Sequence, residues 1–309
     1  MKTKILFLAV FTFCTAVIFT ACQKSISSSV DESTEVSMQA DDESRVATEM
    51  DATANDADVM LEATPSFSGR RMQVQSPICD ATVAVDTASN PRTITITYNG
   101  TNCQGNRTRT GVVVISMAQG VRWRDAGAAI TVSFQNLTIT RLRDNKSITI
   151  NGSQTYTNVS GGLLVNLPSL GSITHTITSS GMTITFDNGS QRSWQVARQR
   201  VFTYNNGVVI TTTGMHSEGN TTGIVEWGTN RFGNAFSTTI TQPLVIRQDC
   251  DFRVTSGEVV HTRGAITATA TFGLDATGNP TSCPGSGSYY MKIVWIGAGG
   301  TTHTVILPY

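Results

Sequence analysis

The sequence predicts an all-β fold: a large antiparallel meander forming a sandwich or a strongly curved sheet, preceded by a signal peptide and a disordered acidic tether. Three observations predict it. Apolar and polar residues alternate with period two through most of the chain after Arg70, the mark of strands with one buried face. Turn-forming residues interrupt these runs at short intervals. Nothing after Arg70 shows a sustained helical period.

Residues 1–21 read as a lipoprotein signal peptide. Lys2 and Lys4 precede an apolar run from Ile5 to Ala21. At 17 residues the run is short for a membrane span, which needs roughly 20, and it suits a secretory signal. The order Phe19, Thr20, Ala21, Cys22 resembles the bacterial lipobox, with Phe19 where Leu is usual. The resemblance implies that Cys22 is acylated and becomes the mature N-terminus. More than one acyl chain, at roughly 0.8 kcal/mol per buried methylene, gives a stable anchor. Gln23 after the cysteine, in place of Asp, implies the outer membrane and leaves the leaflet open.

Residues 22–70 form the expected tether. The formal net charge of zero hides an asymmetry: Gln23 to Gly69 carries eleven acidic residues against Lys24 and Arg45, whereas the chain from Arg70 onward has eighteen basic residues against eleven acidic. The acidic segment is rich in Ser, Thr, Ala and Asp, has no aromatic before Phe67, and so lacks the apolar surface to offset its own ordering. The expectation is a mobile spacer with a frayed helix over Asp42 to Leu61. A segment folded back onto the basic domain is the alternative.

Residues 71–309 form the all-β domain, with about fifteen strands. Ile94, Ile96 and Tyr98 share one face of a strand, as do Ile130, Val132 and Phe134, then Met182, Ile184 and Phe186, then Ile266, Ala268, Ala270 and Phe272. The opposite faces are mostly Thr and Ser, which suit an exposed pleat. Turn signals fall at 89–91, 98–100, 144–145, 187–189 and 205–207. In "AITVSFQNLTITRL" the apolar parity switches from even to odd after Phe134. A one-residue slip turns every side chain over, so a bulge or a sheet crossing is expected at Gln135 and Asn136.

Of six cysteines, Cys14 lies in the signal and Cys22 is the acyl site. Cys79, Cys103, Cys250 and Cys283 remain, an even number that in an exported chain suggests disulfides with three possible pairings. Local pairing is expected, Cys79 with Cys103 and Cys250 with Cys283, because each pair brackets two strands and a turn. No CxxC or CxxH spacing supports a metal site, and no cofactor motif appears.

Catalytic motifs are also missing: the chain has neither a GxSxG elbow nor an HExxH helix. His175, His261 and His303 share strand faces with apolar residues and read as core. His216, beside Glu218, is the least buried-looking. Asp275 and Asn279 match a calcium loop only loosely and read as a long turn. Sixteen of the eighteen basic residues after position 69 are Arg. Arg122, Trp123, Arg124 and Trp194 are candidate ligand contacts, since Arg and Trp on a sheet face stack on sugars or grip anions. Cross-strand pairing that keeps the sheet soluble is the alternative. The modest basic excess argues against nucleic acid.

The stretches "YNGTNCQGNRTRTGVVVIS", "ITVSFQNLTI", "GTNRFGNAFSTTITQPLVIRQDC" and "HTVILPY" resemble uncharacterised Bacteroidetes-type all-β lipoproteins. The resemblance implies architecture and a cell-envelope location, and carries no activity. The expected function is a non-enzymatic, outer-membrane-anchored binding or scaffold module with a glycan or envelope protein as partner. A surface carbohydrate-binding or adhesive module is the alternative, favoured if Trp123, Trp194 or Trp227 lies open in a groove. An envelope hydrolase is a second alternative, favoured by one concave pocket with two acids about 5 to 10 Å apart.

Overall fold

The computed structural model describes residues 27–69, 78–285, 287–297 and 300–309; Cys22 and the expected signal peptide lie outside the described residues. Among the described residues fifteen strands form one antiparallel sheet. They are β1 (Ala81–Asp86), β2 (Arg92–Thr101), β3 (Arg107–Met117), β4 (Ala128–Arg141), β5 (Lys146–Asn158), β6 (Ser172–Phe186), β7 (Gln191–Tyr204) and β8 (Val208–Gly214). The second half adds β9 (His216–Glu218), β10 (Thr221–Thr229), β11 (Ala235–Arg247), β12 (Arg253–Arg263), β13 (Ile266–Leu274), β14 (Tyr290–Ile296) and β15 (Thr302–Pro308). The order is a meander with one irregularity. Strand β7 pairs with β10 through Ser193–Val196 and with β8 through Arg198–Tyr204. Strand β11 does the same from the other side, so β8 and β10 share one strand position.

The expected period-two faces are the core: Ile94, Ile96, Tyr98, Ile130, Val132, Phe134, Met182, Ile184 and Phe186 are all buried. The parity switch is a bulge. The β4–β5 register shifts between Phe134 and Leu137, and Asn136 takes a left-handed φ of 50°. Opposite it on β3, Gly111 has φ +107°, and a Cβ there would stand 2.3 Å from the Asn136 carbonyl oxygen, so only glycine lets the bulge close. Bulges bend and twist a strand, and their recurrence along this sheet supports its curvature. The turn expected at 98–100 is corrected: β2 runs on to Thr101, paired with β3 throughout, because a continuous ladder outweighs a local turn preference. Among the described residues Cys79–Cys103 and Cys250–Cys283 form disulfides. Closing loops of 24 and 33 residues contributes roughly 3 kcal/mol each by chain-entropy reasoning.

The expectation of a mobile acidic spacer over residues 22–70 is corrected for its described part. Ser27–Ala63 is a single 37-residue helix, α1, followed by the turn α2 (Pro65–Ser68), which Gly69 caps. From Thr34 to Ala63 only Thr34, Met38 and Val59 are exposed. Val46, Met50, Ala54, Ala57, Met60 and Leu61 join the same core as the strand residues of β2 to β6. Val36 and Ala40 pack with Val259, Ala270, Ile293 and Trp295 of the far half.

The sheet wraps this helix. Successive helical residues point about 100° apart, at 3.6 per turn. Asp41 meets Arg141 of β4, Asp42 meets Arg231 beyond β10, and Glu43 meets Arg192 of β7. Three consecutive side chains thus reach strands far apart in the sheet, which requires a deep trough around the helix.

Candidate functional site: an arginine-lined cradle and a cationic cleft

The concave face of the sheet is built by strand parity. On β7 the even positions Arg192, Trp194, Val196, Arg198, Arg200 and Phe202 are all buried, so three guanidinium groups and three apolar side chains share one inward row. On β3, Arg107 and Arg109 lie two apart in the same way. Helix α1 answers with acids two turns apart. Glu49 and Asp56 face β3, pairing with Arg107 at 2.5 Å and Arg109 at 2.6 Å. Asp51 and Asp58 face β7, 3.0 Å from Arg198 and 3.8 Å from Arg200. Glu35 pairs with Arg263 at 2.5 Å, and Glu62 accepts the backbone N–H groups of Leu164 and Val165. Arginine suits this role because its planar fork is weakly hydrated and bidentate.

Desolvation competes with these ion pairs and at several positions wins. Burial lifts Asp42 to about 6 despite Arg231, whose guanidinium also lies 3.6 Å from the Phe186 ring centroid. Burial lifts Asp58 to about 7, with the charge of Arg200 offsetting part of the rise and Glu62 adding to it. Glu43 and Glu226 form a hydrogen-bonded carboxyl pair. Burial above all pushes Glu43 well above its usual range, and the Glu226 charge pushes the same way. Glu226 is also raised by burial, but the hydrogen bond from Glu43, the Arg192 charge and the Trp194 indole N–H at 2.5 Å more than offset that, leaving it low. These surroundings favour the proton on Glu43 and the negative charge on Glu226. The pair borders a cavity of about 50 Å³, room for a few waters and far too small for a sugar ring.

Two buried histidines act in the opposite direction. Burial holds His175 down to about 3 and His261 to about 4. His175 is therefore neutral beside Asp58, 3.6 Å away, and His261 shares a hydrogen bond with Thr238 at 2.9 Å. The raised acids contribute stability that is full below about pH 4 and is lost as pH rises through 6 to 7. The histidines contribute stability present above about 6.5 and lost as pH falls through 4 and 3. Between these limits the two pairs oppose each other, so stability should change little from pH 7 to 5. A His175→Gln/His261→Gln variant lacks the opposing contribution of the buried histidines, and its melting temperature should rise on acidification from pH 7 to 5. A variant that loses stability over that range contradicts the raised acids.

The remaining expected site residues separate cleanly. Trp123 and Trp194 are buried, which removes both as surface ligand contacts: Trp194 turns inward with the even row of β7, and Trp123 packs edge-on against His175 with ring centroids 5.0 Å apart. Trp227 is half-buried, and His216 stacks on its ring at 4.0 Å. His303 stacks likewise on Trp295. Asp275 accepts the N–H groups of Thr277 and Asn279 in a long turn. Among the described residues, the one grouping of metal-type ligands is Asp249 with Cys250 and Cys283, and both sulfurs are used in the disulfide.

Arg122 and Arg124 are exposed and line a cleft of about 720 Å³ with Arg92, Gln119, Ser66, Thr87 and the Gly69 backbone. Arg92 is its buried floor. It donates to the carbonyls of Ser66, Ala118 and Val121, fastening α2 to the β3–β4 connection. Sequence reasoning singled out the exposed arginines but missed Arg92 and Glu43, whose only traces were the excess of Arg over Lys and the acid count of the first segment. Comparison with known protein families, with curated proteins and with solved structures finds no match to this chain.

Proposed function

We propose that this chain is a non-enzymatic, lipid-anchored binding or scaffold module of the cell envelope, held at the outer membrane through Cys22. The observation that carries the reading is the commitment of the concave face: its guanidinium groups grip α1, and the carboxyl pair nearest to a dyad is buried against that helix. What remains open to a partner is the rim and the outer surface. The burial of Trp123 and Trp194 weighs against an aromatic sugar platform of the adhesive kind.

The position of α1 changes what the anchor does. Ser27, the first described residue of the helix, stands five residues after Cys22, and five residues reach at most about 17 Å when extended. An acyl chain on Cys22 would hold the β body close against the membrane, without a long leash.

The test is metabolic labelling with a fatty acid, followed by limited proteolysis of intact cells. The wild type should carry label and sediment with membranes, and Cys22→Ala should lose the label and appear in the soluble fraction. Continued labelling of Cys22→Ala would sink the anchor assignment. Proteases should spare residues 34–63, because the helix is sheltered in the sheet; cutting there without unfolding the protein would contradict its burial.

A further inference from the structure

The cleft beside Gly69 holds positive charge that no acidic residue of its lining balances. Arg92, Arg122 and Arg124 line it, and no acidic residue does. Among the described residues Arg122 makes no ion pair, and Arg124 has only Asp125, 4.0 Å away with both side chains about half exposed. A Cβ on Gly69 would stand 3.0 Å from both Arg122 Cδ and Arg124 Nε, so the bare glycine lets the two side chains lie side by side. The Nε of Arg92 is a buried donor without a hydrogen-bond partner. The sequence from Arg70 to Pro77 adds two arginines and no acid, so it supplies no counter-charge either. Like charges held together in a concavity repel at low ionic strength, and an anion removes that repulsion.

We infer that this cleft is a binding site for a phosphorylated saccharide, with Arg122 and Arg124 gripping the phosphate. Guanidinium groups match phosphate oxygens in paired hydrogen bonds. The volume of about 720 Å³ exceeds what a bare phosphate fills and falls in the range of sites for sugar-sized or larger ligands. Gln119, Ser66 and Thr87 offer neutral donors and acceptors suited to hydroxyl groups. The inference rests on the envelope-module reading for its choice of source. Helix α1 is about 55 Å long at 1.5 Å per residue, and the cleft lies past its C-terminal end, whereas Cys22 precedes its N-terminal end. The site thus faces away from the anchoring bilayer, which favours a phosphate borne on a glycan over a headgroup of the same membrane.

The experiment is calorimetric titration of the purified protein at low ionic strength with glucose 1-phosphate, glucose and anionic-lipid vesicles. Glucose 1-phosphate should bind, weaken as salt is added, and lose at least about tenfold in affinity in Arg122→Ala/Arg124→Ala, since each charge-assisted bond contributes that order. Both side chains are exposed, so the variant should melt like the wild type. Arg143→Ala/Arg247→Ala, with the same change in net charge, should bind normally. Equal loss in the two double variants, equal binding of glucose, or binding of vesicles alone would each overturn the proposal. A protein that is labelled at Cys22 yet ignores the sugar phosphate would overturn the cleft and leave the lipoprotein reading standing.

Discussion

A chain lacking residues 27–69 should fail to form the native sheet, and a synthetic peptide of those residues should restore it in trans. Val46, Met50, Met60, Leu61 and Phe67 are all buried in the principal core. At about 1.5 to 3 kcal/mol for each large apolar side chain, their loss is on the order of the entire stability of a domain, about 5 to 15 kcal/mol. The deletion also strips the carboxylates from Arg107, Arg198 and Arg263 and leaves Arg192 with Glu226 alone, so cations face an empty trough. The expected product binds a hydrophobic dye and lacks near-ultraviolet circular dichroism. Peptide addition should recover the cooperative melt. If the truncated chain instead melts like the full one, α1 is a spacer and its burial contributes nothing.

The second large effect lies at the Glu43–Arg192–Glu226 group, where the two carboxyls should respond unequally. Arg192→Met leaves the Glu226 charge buried without its cation, a change that costs about 3 to 5 kcal/mol. Glu226→Gln should cost a similar amount, because it removes the anion that Arg192 and the Trp194 N–H both address. Glu43→Gln should be mild, under about 1 kcal/mol, since burial and the Glu226 charge favour a protonated Glu43 and an amide can donate in its place. Combining Arg192→Met with Glu226→Gln removes both charges and should be less harmful than the sum of the singles. Urea unfolding at pH 7 measures all four. Equal losses for Glu43→Gln and Glu226→Gln would mean that the proton does not reside on Glu43.

Much of the β body was legible in local order. Period-two alternation named the buried faces of β2, β4 and β6, and the parity break at Gln135 and Asn136 located the bulge. The bracketing of two strands by each cysteine pair anticipated both disulfides. The acidic segment was misjudged because composition weighs a segment's own apolar content, whereas this helix is held by partners elsewhere. Glu35 and Arg263 are 228 residues apart, and Glu43 and Arg192 are 149 apart. The opposed charges of the two segments were visible as totals, but totals do not say whether the charges meet.

The candidate contacts divide by burial for a related reason. Alternation places Arg192, Trp194, Arg198 and Arg200 on one face of β7, and it does not say whether that face is concave or exposed. Their tryptophan and arginines turned inward to α1, while Arg122 and Arg124, outside any strand, stayed in solvent. By itself the sequence determined what each strand offers: its period, its breaks, its cross-links and its excess of guanidinium. Only the tertiary structure decided that the sheet curls around an acidic helix, because desolvated charges find their partners through contacts that local pattern does not encode.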